Sequence, residues 1–191
     1  MKLSTKAQNL DILQKLRLQK SVIPKFFKYS VEEWIADKDR IIKVLLKKLN
    51  KKIIIRSSYI LEDSEKNSMA GEFEGFSNVK NTKKNIFDSV TNLIKQYKKK
   101  SKKKLHYLKS EIIFQNMILN TRLSGVLTNF CIKDGSFYYV INYDDVSGST
   151  DSVTSGSKTG GRVINIFRDD TTGVRSQKLK KVIESTKEIE I

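Results

Sequence analysis

The part of this sequence best suited to chemistry is an arginine followed by small and acidic residues. Arg56 follows Ile53-Ile54-Ile55, an apolar run that predicts a buried strand with the arginine at its end. The chain then continues through Glu62-Asp63-Ser64 and Ser68-Met69-Ala70-Gly71 to Gly75. Because glycines allow a close approach of the backbone, such a loop could point N–H groups at phosphate oxygens. The planar guanidinium of Arg56 could bind the same phosphate through two parallel hydrogen bonds.

The same residues also have a purely structural interpretation. An arginine at the end of a strand could form an ion pair with Glu62 or Asp63 beside a glycine-containing turn. The spacing of these residues favours neither the phosphate site nor the ion pair. Among the other reactive side chains, His106 is the only histidine and follows a lysine run, so we expect it to have a surface or packing role.

The predicted elements form an α+β arrangement, with helices first and a mainly antiparallel sheet after them, interrupted by one inserted helix. Leucines at helical spacing predict a helix over 5–20, and Ser30 with Glu33 forms a capping box at the start of the next helix. Further helices are predicted over 82–98 and 175–191. Extended segments are predicted over 26–29, 52–57, 111–117, 125–132, 137–143 and 162–168. The remaining stretches are predicted as long polar loops over 58–78 and 144–161 and a solvated turn over 98–104.

The chain carries a formal net charge of +16, from 37 Lys and Arg against 21 Asp and Glu. Such a balance invites a polyanion such as nucleic acid. The lysines are spread over the whole chain, however, and arginine, which nucleic-acid-binding surfaces favour, is scarce beside lysine. We therefore favour solvated lysines. The alternative is a non-catalytic basic module that binds nucleic acid.

The sequence predicts a cytoplasmic protein without a membrane partner. No segment approaches the ~20 apolar residues that span a bilayer, and the first residues lack the apolar stretch of a signal peptide. Cys131 is the only cysteine, which excludes an internal disulfide. It lies in an apolar run, so we expect a buried structural thiol, which fits a reducing compartment.

Taken in order, the motifs resemble the N-terminal nucleotide-binding domain of phosphoenolpyruvate synthase and pyruvate phosphate dikinase. Arg56-Ser57-Ser58, Glu62-Asp63-Ser64 and Ser68-Met69-Ala70-Gly71 resemble three consecutive motifs of that family. Thr5-Lys6-Ala7-Gln8-Asn9-Leu10 resembles the family's opening glycine-glycine-lysine motif, without its glycines. The resemblance continues through segments 22–26, 114–117, 124–128 and 151–156, and so covers nearly the whole chain.

This resemblance implies an ATP-grasp fold, in which two lobes close over MgATP, here approximately residues 1–104 and 105–191. It implies that Lys6 contacts the ATP phosphates and that Arg56 is the catalytic residue, which binds phosphate and braces the transition state. It places Gly71 in a loop over the phosphates, Gln115 near the base or ribose, and Met117 beside the adenine. The structural alternatives are a surface lysine, a glutamine that pairs across the sheet, and a core methionine.

Several departures from the family pattern limit what this chain is expected to do. The family often has threonine at the position of Gly75. Its terminal acidic metal ligand is not found, since Glu188 and Glu190 fall in a predicted helix. The phosphohistidine domain of the family is not found either. We therefore expect an N-terminal part of an ATP-grasp domain, inactive alone, that binds ATP with Mg²⁺ and carries no assigned metal ligand. The resemblance implies a compact phosphotransferase whose C-terminal phosphohistidine domain phosphorylates a small metabolite, with L-glutamine among the candidates.

Overall fold

The structure, a computed structural model, describes residues 5–16, 18–60, 63–64, 67–68, 73–101, 103–146, 161–168 and 177–187. The chain forms two compact units, Met1–Leu18 with Val22–Met117 and Gln19–Ser21 with Ile118–Ile191. Each unit has its own antiparallel sheet and at least one helix packed on it. The predicted α+β class, with antiparallel sheets and an inserted helix, is confirmed.

The first unit is built on a four-stranded sheet. Its strands are β1 (Phe26–Ser30), β2 (Lys52–Ser58), β5 (Phe76–Lys80) and β6 (Glu111–Asn116), and a short hairpin of β3 (Asp63–Ser64) and β4 (Asn67–Ser68) lies between β2 and β5 in sequence. The strand order is β1-β6-β2-β5, with every pair antiparallel. Isoleucines and phenylalanine dominate β2 and β6, which suits the two central positions of a sheet.

Four helices accompany this sheet: α1 (Lys6–Lys15), α2 (Val31–Lys48), α3 (Lys83–Lys100) and α4 (Lys104–Lys109). The predicted capping box starts α2, since Ser30 Oγ accepts from Glu33 N at 3.1 Å and the Glu33 carboxylate accepts from Ser30 N at 2.7 Å. Helices α2 and α3 pack on one face of the sheet. The main core there consists of Val31, Trp34, Ile41, Ile42, Leu45, Ile53, Ile55, Ile86, Val90, Leu93, Tyr97, Ile112 and Phe114.

The second unit contains a three-stranded sheet of β7 (Ser124–Thr128), β8 (Tyr138–Asp144) and β9 (Arg162–Phe167), with β8 in the centre. Helix α5 (Gln177–Lys187) contributes Leu179 and Ile183 to a core with Tyr139, Ile141 and Ile166. The predicted Asp134-Gly135 turn lies between β7 and β8, with Gly135 at φ 73°. Ser136 donates its hydroxyl and its backbone N–H to Asp134, which holds the pKa of that carboxyl at about 2.

Gly125 in β7 lies where a side chain has no room. A Cβ there would overlap the Asn142 carbonyl oxygen and stand 3.0 Å from Tyr143 Cα, both in the neighbouring strand β8. We expect Gly125→Ala to destabilise the protein by about 1–3 kcal/mol, because backbone atoms of a paired strand must move. Gly161→Ala is the matched control, since a Cβ at Gly161 meets nothing within 4 Å in the part of the chain that the structure describes. Thermal unfolding followed by circular dichroism compares the two, and equal melting temperatures would contradict the expectation.

Several predicted element boundaries were wrong. Helix α1 ends at Lys15, and the predicted loop over 58–78 contains β3, β4 and the start of β5. The first lysines of the predicted turn over 98–104 form the last turn of α3, where cations are stabilised by the helix dipole. The two units meet in sequence at Met117 and Ile118, because β6 pairs with both β1 and β2 and so belongs to the first unit.

Candidate functional site

Two of the residues singled out from the sequence, Arg56 and Gln115, lie on the face of the first sheet that points away from α2 and α3. Side chains alternate along a strand, so the register decides which of them share a face. Arg56 pairs with Ile113, Ile54 with Gln115, and Ser58 with Glu111. We call this surface the α1 face. It comprises Phe26, Lys28 and Ser30 of β1, Ile54, Arg56 and Ser58 of β2, and Glu111, Ile113 and Gln115 of β6.

The first turn of α1 rests on this face at the ends of β2 and β6. The Ala7 backbone N–H donates to Ser58 Oγ at 3.0 Å, and this hydrogen bond is buried. The Thr5 hydroxyl donates to Glu111 Oε2 at 3.3 Å. Helix α1 therefore begins close to Arg56. Ser58, which binds the first turn of α1, lies two residues after Arg56 in β2 and on the same face of the sheet.

A buried tyrosine joins the two strands beneath that turn. Tyr97 of α3 is completely buried, and its hydroxyl accepts from Ser58 N at 2.9 Å and donates to Glu111 O at 2.8 Å. The backbones of Ser58 and Glu111 are thus fixed from the core side while their side chains meet α1. Tyr97 makes the α1 face a rigid platform at the end where α1 begins.

Arg56 lies inside β2, two residues before its end, and not at the end as predicted. The strand continues because Ser57 and Ser58 pair with Ile112 and Glu111 of β6. The Arg56 side chain is exposed and makes no hydrogen bond or ion pair with any residue that the structure describes. Glu62 and the side chain of Asp63, the partners in the structural interpretation, lie outside the described residues.

Lys6 is the first residue of α1 and is partly exposed. The neighbouring amides are already engaged, since Gln8 N donates to Thr5 Oγ1 at 3.3 Å and Ala7 N donates to Ser58. A glycine-rich opening would offer its backbone amides to phosphate, whereas this helix start is capped by its own chain. Any phosphate contact from this turn therefore belongs chiefly to the Lys6 side chain.

Gln115 and Met117 follow one another along the α1 face towards the opposite end of β6. Gln115 is 7% exposed, and its Nε2 donates to Pro24 O at 3.4 Å, a long contact. Met117 continues the strand pairing, because its N–H donates to Lys52 O at 3.1 Å, and its side chain is partly buried.

The remaining candidates contribute less. Gly71 lies outside the described residues, as do the segment 151–156 and Glu188 and Glu190. A Cβ at Gly75 would stand 3.6 Å from Ile55 O, an ordinary contact, so space does not require glycine there. His106 lies in α4, and its Nδ1 is buried without a hydrogen-bond partner among the described residues.

Sequence reasoning missed three polar residues of the site. Lys28, Glu111 and Tyr97 connect α1, β1, β6 and α3, and all three act through partners distant in sequence. The one available signal was Lys28 itself, a charged residue inside the apolar run Phe26-Phe27-Lys28-Tyr29. In the described part of the chain, no group of three or more His, Cys, Asp or Glu side chains could hold a metal ion.

The fold defines an α+β domain in which the first sheet carries an exposed Arg56 on its α1 face. A sequence model of the pyruvate phosphate dikinase AMP/ATP-binding domain matches residues 4–188, and the chain belongs to that family. It is therefore an ATP-binding domain of the phosphotransferases related to pyruvate phosphate dikinase, which confirms the resemblance found in the motifs. A search of curated proteins finds no matching relative. None of the described helices is both long and apolar enough to cross a membrane.

Proposed function

We propose that this chain binds MgATP on the α1 face, with the phosphates near Lys6 and Arg56 and the adenine near Gln115 and Met117. The observation that carries the proposal is the register of β2 and β6, which puts Arg56 and Gln115 on one face in adjacent strands. Diagonal neighbours of this kind stand about 7–8 Å apart. The first turn of α1 brings Lys6 to the same face through the Ala7–Ser58 hydrogen bond.

The chemistry assigned to these residues is charge neutralisation and positioning. Phosphoryl transfer needs little covalent participation from the protein, so cations aimed at the phosphate oxygens supply most of the effect. Arg56 offers two parallel hydrogen bonds and Lys6 a point charge. Mg²⁺ would neutralise further phosphate charge. We assign it no protein ligand, since the described residues offer no cluster of metal-binding side chains and Mg²⁺ is commonly held by phosphates and water.

We further propose that the phosphoryl group passes to a histidine of another domain of the same enzyme and then to a small metabolite, for which L-glutamine is the candidate. His106, the only histidine of this chain, lies in α4, which packs on α2 and α3 and so on the other side of the sheet from Arg56. It is thus poorly placed to accept phosphate from the α1 face. This chain alone is then expected to bind ATP without transferring phosphate. We also propose that the protein is cytoplasmic, where MgATP would be available to it.

Titration of the isotope-labelled chain with MgATP, followed by NMR, tests the proposal. We expect the amide signals of Lys6, Arg56, Gln115 and Met117 to shift, with a dissociation constant on the order of 0.1 mM. The affinity is expected to be low because the proposed site supplies only two cationic side chains, Lys6 and Arg56, and no metal-binding cluster among the described residues.

Two results would contradict the proposal. Low-micromolar affinity would mean that the site has more contacts than the α1 face supplies. Shifts confined to the lysine-rich surfaces of α2, α3 and α4, with binding of oligonucleotides that weakens steeply as salt rises, would instead support the nucleic-acid-binding alternative.

A further inference from the structure

Helix α1 is attached to the sheet by hydrogen bonds and an ion pair as well as by partly buried apolar side chains. Ala7 is the only buried residue among the ten of α1. A surface helix is usually held by an apolar stripe, which contributes roughly 1.5–3 kcal/mol for each large side chain fully buried. In α1 the apolar residues Leu10, Ile12 and Leu13 are only partly buried, so hydrogen bonds and an ion pair add to the packing that holds the helix on the α1 face.

Lys28 is the centre of these polar contacts. Its Nζ lies 2.6 Å from Asp11 Oδ2 of α1 and 2.9 Å from Glu111 Oε1 of β6. The three side chains are 27%, 36% and 20% exposed, so they are only partly screened by water. Glu111 also accepts from the Thr5 hydroxyl through its other oxygen. Lys28 thus joins the middle of α1 to β6, the strand whose Glu111 also binds Thr5 at the N-terminus of α1.

The charge of Lys28 is needed for this arrangement. Partial burial lowers the pKa of Lys28, but the hydrogen bonds to Asp11 and Glu111 outweigh it and raise the pKa above its ordinary value. Without that charge, two carboxylates would face each other across the junction between helix and sheet and repel. They would also leave net negative charge on the face that carries Arg56.

We propose that Lys28 is a positioning residue for the nucleotide phosphates: by joining Asp11 and Glu111 it fixes α1 on the sheet and so holds Lys6 in place relative to Arg56. The inference rests on the proposed function, because it gives Lys6 a phosphate to contact. Lys28 acts here through Lys6 and not by touching the ligand, since two of its three ammonium donors are already used.

A double-mutant cycle separates this role from a general structural one. We expect Lys28→Met to weaken MgATP binding about 3- to 10-fold, since residues coupled through one network have non-additive effects. In a Lys6→Ala background, Lys28→Met is expected to cause no further loss. Lys28→Arg, which keeps the charge, should recover most of the affinity. Lys83→Met is the matched control, because Lys83 pairs with Asp39 at 2.9 Å in the helical layer.

The measurements are NMR titrations of the 191-residue chain with MgATP, with melting temperatures recorded for each variant. If Lys28→Met fails to fold, Asp11→Asn breaks the same link at its exposed end and should give the same non-additivity with Lys6→Ala. Equal losses from Lys28→Met in both backgrounds, or no loss in either, would overturn the inference. If Lys6→Ala alone leaves the affinity unchanged, the proposed phosphate site itself is wrong.

Discussion

Replacing Arg56 by lysine is expected to weaken MgATP binding about tenfold while leaving the melting temperature unchanged. Lysine keeps the charge but cannot make the two parallel hydrogen bonds of a guanidinium. The loss of a hydrogen bond to a charged group typically costs about 1.5–3 kcal/mol, and about 1.4 kcal/mol corresponds to a factor of ten. Stability should change by no more than about 0.5 kcal/mol, since the side chain is exposed and has no partner in the described part of the chain.

Arg40→Lys provides the control for this experiment. Arg40 is also exposed, but it lies on α2 and pairs with Asp37 at 2.8 Å, on the other side of the sheet. Its replacement should leave nucleotide affinity unchanged. An Arg56→Lys variant with normal affinity would remove the main residue-level support for the phosphate site. Normal affinity with an unchanged melting temperature would instead fit an exposed ion pair between Arg56 and Glu62 or Asp63, since lysine keeps the charge and such pairs contribute little.

Phe114→Ala is expected to cost about 3–5 kcal/mol of stability, the largest effect of any single change considered for this domain. Phe114 is completely buried in the central strand β6. Its ring stacks on Trp34 at 6.1 Å between centroids and meets Tyr29 edge-on at 6.3 Å. The total free energy of unfolding of natural domains is only about 5–15 kcal/mol, so this loss threatens the folded state of the first unit.

Denaturation in urea, followed by the fluorescence of Trp34, the only tryptophan, reports this effect directly. Phe87→Ala is the comparison within the same unit. Phe87 is 39% exposed and packs under Lys38 with the ammonium 5.5 Å from its ring centre, so its loss should cost about 1 kcal/mol or less. Similar unfolding midpoints for the two variants would show that the aromatic cluster around Phe114 is not the main support of the core.

Much of the fold of the first unit was predictable because its signals are local. The capping box of Ser30 and Glu33 marks the start of α2, and the isoleucine run marks β2. Strand β5 was missed because Phe-Ser-Asn-Val-Lys has a weak strand signal. It forms through distant pairing with β2, across a bulge where Asn78 takes φ 58°. Asparagine tolerates this left-handed backbone conformation, so the local sequence does not predict the bulge.

The site was only partly predictable for a similar reason. Lys6, Arg56 and Gln115 could be proposed as ligand-binding residues from the sequence. That Arg56 and Gln115 share one face, however, depends on the register of β2 against β6. That register joins residues more than 50 positions apart, and no periodicity within either strand contains it. Lys28 and Glu111 matter because they form an ion pair with each other, at 2.9 Å between β1 and β6. Sequence alone shows two unrelated charges there.

The polar attachment of α1 also affects how its position responds to solution conditions. Elements with few buried apolar contacts open at low free-energy cost, and hydrogen exchange detects such openings. Mobile ions screen partly exposed charge pairs, so we expect added salt to favour undocking of α1 from the sheet. A ligand that needs the docked state binds with an apparent affinity reduced by the docked fraction. Ionic strength would therefore control this domain through a conformational equilibrium as well as through direct screening of the ligand.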